Sequence, residues 1–205
     1  QVAIAAIQSL GSPQTEELAL AAAKSANPSV RRWVLRILGY FGYERALPAL
    51  LAGLTDPDRR VRDSAFAGLP MMDDSRAREA LLEYARHPDA PTRATALRSL
   101  GHCTPDIRVE ATVIRCLADG DAWVRYYACQ AAGRLAIEAA VVPLTVRVAD
   151  EAGQVRVSAI EALSRFDHPV AHRALLTTAD CGEEDIQRAA LVGLGISQPP
   201  EGLQS

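Results

Sequence analysis

Apolar residues recur along the chain with a helical period, and this pattern itself repeats. An arginine that in most copies follows a valine is a convenient anchor, and its five occurrences lie 31 or 32 residues apart, at Arg31, Arg62, Arg93, Arg125 and Arg156. Apolar residues stand one position before the anchor and three, four and seven positions after it, which places them on one stripe of a helix. A fixed period in this range predicts an array of helical repeats.

The ends of this helix, here called helix B, are also marked in the sequence. Asn27, Asp58, Asp89 and Asp121 stand four residues before their anchors, and Asn and Asp are preferred helix N-caps. Eight residues after the anchor the residue is usually glycine or another helix breaker, which is typical of a helix C-terminus. Each repeat therefore predicts one helix B with defined bounds.

A second apolar helix, helix A, precedes each helix B. The predicted A helices span residues 15–23, 45–54, 75–85, 107–118, 137–149 and 170–179. An A helix, a short turn and a B helix make an antiparallel pair, and stacked pairs bury a core that a single pair could not. The predicted fold is an all-α solenoid of such pairs, with about 31 residues per repeat.

The array is predicted to cover residues 1–197, and its first repeat is incomplete. The opening sequence VAIAAIQSLG fits a B helix without its A helix, so we expect the chain to be part of a longer protein. Residues 198–205, with two prolines and a glycine, are predicted to form a tail that leaves the array.

The repeat resembles the short bacterial HEAT-like repeats of phycobilin lyase subunits. The sequence ALPALLAGLTDPDRRVRDSAFAGL, from Ala46 to Leu69, carries the resemblance, and the same pattern covers nearly the whole chain. The resemblance implies the solenoid fold. It also implies that the B helices line a concave surface where partners bind, and it names no particular partner.

Composition narrows the possible functions. Hydrophobic residues make up 49% of the chain, enough for a sizeable core, and the net charge of −3 argues against a dedicated nucleic-acid binder. The four cysteines show no CxxC spacing, so we expect reduced thiols in a cytoplasmic protein. The resemblance to bacterial HEAT-like repeats implies a bacterial source. No apolar run reaches the length of a membrane span, and no membrane association is predicted.

The anchor arginines have two interpretations. On an ideal helix each lies about 35° from the centre of the apolar stripe, so that its stem lies against the core. The first interpretation is a structural ladder in which Arg31, Arg62, Arg93, Arg125 and Arg156 pair with the capping residues Asp58, Asp89 and Asp121 of their own or a neighbouring repeat. The alternative is a row of arginines that binds a ligand.

The opposite face of the B helices carries the candidate partner-binding residues. Trp and Tyr beside Arg are typical of interface hot spots, and four of the ten aromatic residues fall on this face. The candidates are Arg32, Trp33, Arg36, Arg98, Trp123, Tyr126, Tyr127, Gln130 and Glu161, with Asp63, Ser64 and Arg188 at equivalent positions. In the alternative interpretation, Trp123 folds onto the N-terminus of its own helix and Tyr126 or Tyr127 fills a groove between repeats.

No catalytic or metal-binding constellation is found. None of the four histidines is followed by Glu, as in HEAT-like di-iron hydroxylases, and no cofactor is predicted. We therefore expect a non-catalytic protein–protein interaction scaffold that binds a protein or peptide on the B-helix face. One alternative, resting on the resemblance alone, is a bilin-lyase-type module that holds a tetrapyrrole near a cysteine. Another is nucleic-acid binding through Arg32, Arg36, Arg98 and Arg188, which the overall acidity disfavours.

Overall fold

A computed structural model describes residues 13–180 and 183–196, and throughout these ranges the regular structure is helical. The A helices are α1 (Pro13–Ala22), α3 (Leu47–Gly53), α5 (Ser75–Tyr84), α7 (Ile107–Cys116), α9 (Val141–Arg147) and α11 (Pro169–Ala179). The B helices are α2 (Pro28–Phe41), α4 (Arg59–Gly68), α6 (Ala90–Leu100), α8 (Ala122–Arg134), α10 (Gly153–Leu163) and α12 (Glu184–Gly193). The predicted first B helix, the tail at 198–205 and Cys181 lie outside the described residues.

Side-chain caps start four of the B helices where the sequence predicts them. Asn27 accepts a hydrogen bond from the backbone N–H of Ser29 at 2.9 Å, and Asp121 accepts one from Trp123 at 2.9 Å. Asp58 and Asp89 cap α4 and α6 in the same way. Ala152 occupies the N-cap position of α10 and provides no side-chain cap, although its backbone has the same extended conformation.

Two A helices begin later than predicted. Helices α3 and α9 each have seven residues and follow a short 3-10 turn, Glu44–Ala46 and Glu138–Ala140. Pro48 and Pro143 lie in the first turn of these helices. Proline has no N–H to donate, so it fits the beginning of an α-helix, where that donor has no intrahelical partner.

The chain divides into two compact units, unit 1 at residues 1–84 and unit 2 at residues 85–205. In unit 1, α2 packs against α4, and the core contains fully buried leucines such as Leu38, Leu47 and Leu50. In unit 2, the B helices pack in the order α6, α8, α10 and α12, over a core that includes Leu97 and Leu163.

Small residues let neighbouring B helices approach closely. A Cβ atom added to Gly39 of α2 would lie 2.4 Å from the Cα atom of Gly68 in α4, which no side chain permits. In unit 2, a Cβ atom on Gly133 of α8 would lie 2.9 Å from the Cα atom of Ala162 in α10. These contacts place the exposed sides of adjacent B helices side by side.

Candidate interaction surface on the B helices

The anchor arginines make a repeated set of hydrogen bonds with the turns that precede the B helices. In unit 2, Nε and Nη2 of Arg125 donate to the two carboxylate oxygens of Asp150, both at 2.8 Å, while Nη1 donates to the carbonyl oxygens of Asp119 and Gly120. Arg93 holds Asp119 in the same bidentate way. Arg31 holds Asp56 within unit 1. Each of these arginines therefore joins the turn of its own repeat to the turn of the next.

The prediction that the arginines pair with the capping aspartates is wrong. The acids that they bind, Asp56, Asp119 and Asp150, lie 25 or 26 residues after the anchor and two residues before the next capping position. The caps are already engaged, since their carboxylates accept backbone N–H groups. The constant spacing between arginine and acid is the sequence signal that could have identified these partners.

The other two anchor arginines make part of this set of bonds. Arg62 donates to the carbonyl oxygens of Asp56 and Pro57. Arg156 donates to the carbonyl oxygen of Asp150 and to the carboxylate of the exposed Glu183 at 2.7 Å. Its Nε atom is buried without a hydrogen-bond partner among the residues described.

The Arg125–Asp150 pair is the most buried of these ion pairs, with side chains 5% and 2% exposed. Burial is the largest single influence and would raise the pKa of Asp150. The hydrogen bonds from Arg125 and from the backbone N–H of Ala152, together with the charges of Arg125 and Arg147, outweigh it, so the pKa lies below its ordinary value. Arg147 and the backbone N–H of Ala152 add two further bonds to the same carboxylate. The donors of Arg125 are thus used within the fold, which favours a structural role over ligand binding.

The second feature of unit 2 is an aromatic cluster on α8, here called the aromatic platform and formed by Trp123, Tyr126 and Tyr127. The ring centres lie 5.1 to 6.4 Å apart, so the three rings contact one another. Trp123 is 54% exposed, while the two tyrosines are half-buried. The platform combines a fixed base with an accessible indole.

Neighbouring polar residues hold the platform in place. Nε2 of Gln130 donates to the hydroxyl oxygen of Tyr126 at 2.8 Å, one helical turn away. The guanidinium carbon of Arg98, on α6, lies 5.9 Å from the centre of the Tyr127 ring, within cation–π range. Burial and the nearby charges of Tyr127 and Glu161 raise the pKa of Tyr126, so its phenol stays protonated at neutral pH.

The candidates of unit 1 lie on α2 and α4. Trp33 is 53% exposed, and the guanidinium carbons of Arg32 and Arg36 lie 5.4 and 4.8 Å from its ring centre. Ser64, which the sequence placed on the exposed face, is buried and donates to the carbonyl oxygen of Arg60. The position two residues after the anchor is therefore exposed in α2, at Trp33, but buried in α4 and in α10, at Ser64 and Ser158.

The remaining candidates on this face are individually exposed or paired within their own helix. Glu161 is exposed on α10. Arg188 forms an ion pair with Glu184 at 2.7 Å, and Asp63 forms one with Arg59 at 3.9 Å. Arg188, one of the basic residues proposed for nucleic-acid contact, is therefore already paired with a carboxylate.

The described residues offer few groups for thiol chemistry or metal binding. Burial raises the pKa of the Cys129 thiol to about 12, and Cys116 is also buried with a raised pKa, so both are protonated and shielded. In the described ranges, no three His, Cys, Asp or Glu side chains lie together in a way that could hold a metal ion. Of the helices described, none has both the length and the apolar character needed to cross a bilayer.

The helix pairs and the exposed B-helix face define a class, the α-helical repeat proteins with stacked antiparallel pairs. Sequence profiles of HEAT repeats match residues 1–70, 47–107 and 109–195. The chain belongs to the HEAT repeat family, and the predicted all-α, HEAT-like solenoid is confirmed.

Solved structures agree with this assignment. The chain is similar to a chain of the CpcE–CpcF complex of phycocyanin lyase from Nostoc sp. PCC7120, with 22% identity, a TM-score of 0.63, and coverage of 89% of this chain and 76% of that one. It is also similar to YibA of Escherichia coli, with 19% identity, a TM-score of 0.65, and coverage of 87% of this chain and 69% of that one. For a designed armadillo repeat protein in complex with the peptide (KR)4, the identity is 14%, the TM-score is 0.60, and the coverage is 88% of this chain and 98% of that one. At these identities the likeness shows the fold alone. A comparison with curated protein sequences gives no match.

Proposed function

We propose that this protein is a non-catalytic scaffold that binds a protein or peptide segment on its B-helix face. The aromatic platform carries the proposal, because an accessible indole stands on two half-buried tyrosines that are themselves fixed by neighbouring side chains. A rigid aromatic surface loses little conformational entropy when a partner binds, and Trp and Tyr with Arg dominate interface hot spots.

The fold supports this use in two further ways. Helix α8 begins at an Asp cap and is joined to its neighbours through the Arg93–Asp119 and Arg125–Asp150 pairs, so the platform rests on a well-connected element. One structural neighbour, a designed armadillo repeat protein, holds a peptide, so a fold of this class can serve as a peptide-binding scaffold. We propose the platform, Arg98 and Glu161 as the contact set in unit 2, within an array that extends over residues 1–197.

Selection of peptides by the chain tests this proposal. A random peptide library displayed on phage would be selected against the full chain, and the affinity of the selected peptides measured in solution. Trp123→Ala should weaken binding at least about tenfold, since truncation of a hot-spot Trp costs about 2 kcal/mol or more.

Ile107→Ala is the matched control, because Ile107 is an exposed apolar residue on the A helix α7 and is 82% exposed. It should leave the affinity unchanged. If Ile107→Ala abolishes binding and Trp123→Ala does not, or if selection returns no binding peptide, the platform is not the contact surface.

A further inference from the structure

Unit 1 carries an open groove of about 490 Å³ between α2 and α4 that the sequence did not predict. Its first wall is formed by Trp33, Ile37 and Tyr40 of α2, and Met71 closes the other side. Tyr40 is 80% exposed and Met71 50% exposed. A contiguous apolar surface of this kind is uncommon on a monomer and typical of a binding site.

The groove is open because the two helices differ in side-chain size. On α4 the floor consists of Ser64, Ala67 and Gly68, which are all small. The close contact between Gly39 and Gly68 fixes the spacing of the helices. Bulky side chains on one helix and small ones on the other therefore leave room for a side chain from outside, and the volume lies in the range of roughly 300–1,000 Å³ found for ligand sites.

The rim of the groove is positively charged. Arg32 and Arg36 contact the Trp33 ring, and neither forms an ion pair with a carboxylate in the part of the chain that the structure describes. This sets them apart from the anchor Arg31 on the same helix, whose guanidinium is bound by Asp56. A guanidinium that stacks on an indole still presents N–H donors to a carboxylate, and such charge-assisted bonds are strong and directional.

We propose that this groove binds a protein segment that places a bulky apolar side chain beside one or more carboxylates. The apolar side chain enters between Trp33, Tyr40 and Met71 over the floor at Ala67. The adjacent carboxylate then bonds with Arg36 at the rim. This inference rests on the proposed scaffold function and adds a second site with a defined partner chemistry.

An acidic peptide fits this surface better than a nucleic acid does. Phosphate-backbone binding uses several cationic residues in a line along the strand, whereas Arg32 and Arg36 meet at one indole. The wall and floor are apolar, which suits a side chain rather than a sugar–phosphate chain. Nucleic-acid binding is therefore one of the outcomes that the test must separate.

The chain contains only two tryptophans, Trp33 and Trp123, so each surface can be observed separately. In Trp123→Phe, the fluorescence of Trp33 reports on the groove alone. The probes are short synthetic peptides in which one Phe or Leu is flanked by glutamates, with matched peptides that carry lysines or a central Ala. Only the glutamate-flanked, apolar peptide should shift the Trp33 emission and saturate.

Two substitutions test the chemistry of the groove. Ala67→Leu fills its floor and Arg36→Glu reverses its rim charge, and each should weaken the glutamate-flanked peptide at least about tenfold. In Arg36→Glu, the lysine-flanked peptide should bind better than it binds the parent chain. Ala111→Leu, at an exposed alanine on the A helix α7, is the matched control and should change neither affinity.

Equal binding of the lysine-flanked and glutamate-flanked peptides would overturn the proposal, as would a glutamate-peptide affinity that Ala67→Leu and Arg36→Glu leave intact. A single-stranded oligothymidine that displaces the peptide and binds more tightly would show that the partner class is wrong. The converse variant, Trp33→Phe, leaves Trp123 as the reporter of the platform. If the glutamate-flanked peptide does not bind the groove while selected peptides bind the platform, this inference is wrong and the proposed scaffold function stands.

Discussion

Unit 1 and unit 2 use the same repeat to build different surfaces. In unit 1 the bulky residues of α2 face small residues of α4, and a groove lies between the helices. In unit 2 the bulky residues stand together on α8, where Trp123, Tyr126 and Tyr127 pack on one another. The difference shows that this scaffold gains a cavity or a platform according to which helices carry the large side chains.

The arginine–acid pairs also differ in burial. The Arg31–Asp56 pair of unit 1 and the Arg93–Asp119 pair of unit 2 have the same side-chain exposures, 17% and 10%, whereas the Arg125–Asp150 pair of unit 2 is almost fully buried. A buried ion pair adds little net stability while it is intact but is expensive to break, because the remaining charge cannot be solvated. The Arg125–Asp150 pair should therefore matter more to stability than the Arg31–Asp56 pair.

The largest expected effect is that of Arg125→Ala. It should lower the free energy of unfolding by about 3–5 kcal/mol, since Asp150 is left buried with fewer partners. Urea unfolding followed by circular dichroism measures this loss. Arg31→Ala should cost clearly less, and peptide binding per folded molecule should be unchanged in both variants. Equal losses in the two variants would remove the distinction between the two pairs.

The second prediction concerns the helix contact that fixes the groove of unit 1. Gly39→Ala should destabilise the protein by about 1–3 kcal/mol, because the new methyl group meets the backbone of Gly68 and the helices must separate. It should also weaken the glutamate-flanked peptide at the groove. Gly120→Ala is the control, since a Cβ atom there meets nothing within 4 Å. Thermal unfolding of both variants gives the comparison.

The third prediction uses pH. The Arg31 guanidinium lowers the pKa of Asp56, and the bonds from Arg93 lower that of Asp119 against the opposing effect of burial. Because these folded-state pKa values lie below the unfolded value of about 3.9, the carboxylates stabilise the fold above that pH and lose the contribution as pH falls through their folded pKa. Stability should decline below about pH 4. Asp119→Asn should flatten this decline in a pH series of urea midpoints, and an unchanged profile would count against the pair.

Much of the fold could be predicted because its signals are local. The Asp caps and the stripe of apolar positions around Arg62 and Arg125 mark helix bounds that the structure reproduces closely. The acid partners were missed because Asp56 and Asp150 belong to the following repeat and stand two residues before the capping positions that the prediction considered. The groove was missed for a similar reason, since it depends on the side-chain sizes of two helices, whereas the pattern describes one helix at a time.

The smallest expected effect sharpens the comparison within unit 2. Ala152 precedes α10 with φ −92° and ψ 119°, nearly the backbone conformation of the capping Asp121 at φ −94° and ψ 131°. Ala152→Asn should therefore supply the missing side-chain cap and raise the free energy of unfolding by about 0.5–1 kcal/mol. Asn is the better choice than Asp because Asp150 and Glu151 already stand beside the site. Asp121→Ala should give a loss of similar size on α8. If Ala152→Asn leaves the unfolding midpoint unchanged while Asp121→Ala lowers it, the start of α10 is stabilised by the Arg125–Asp150 pair and the bond from Ala152 to Asp150 rather than by a cap.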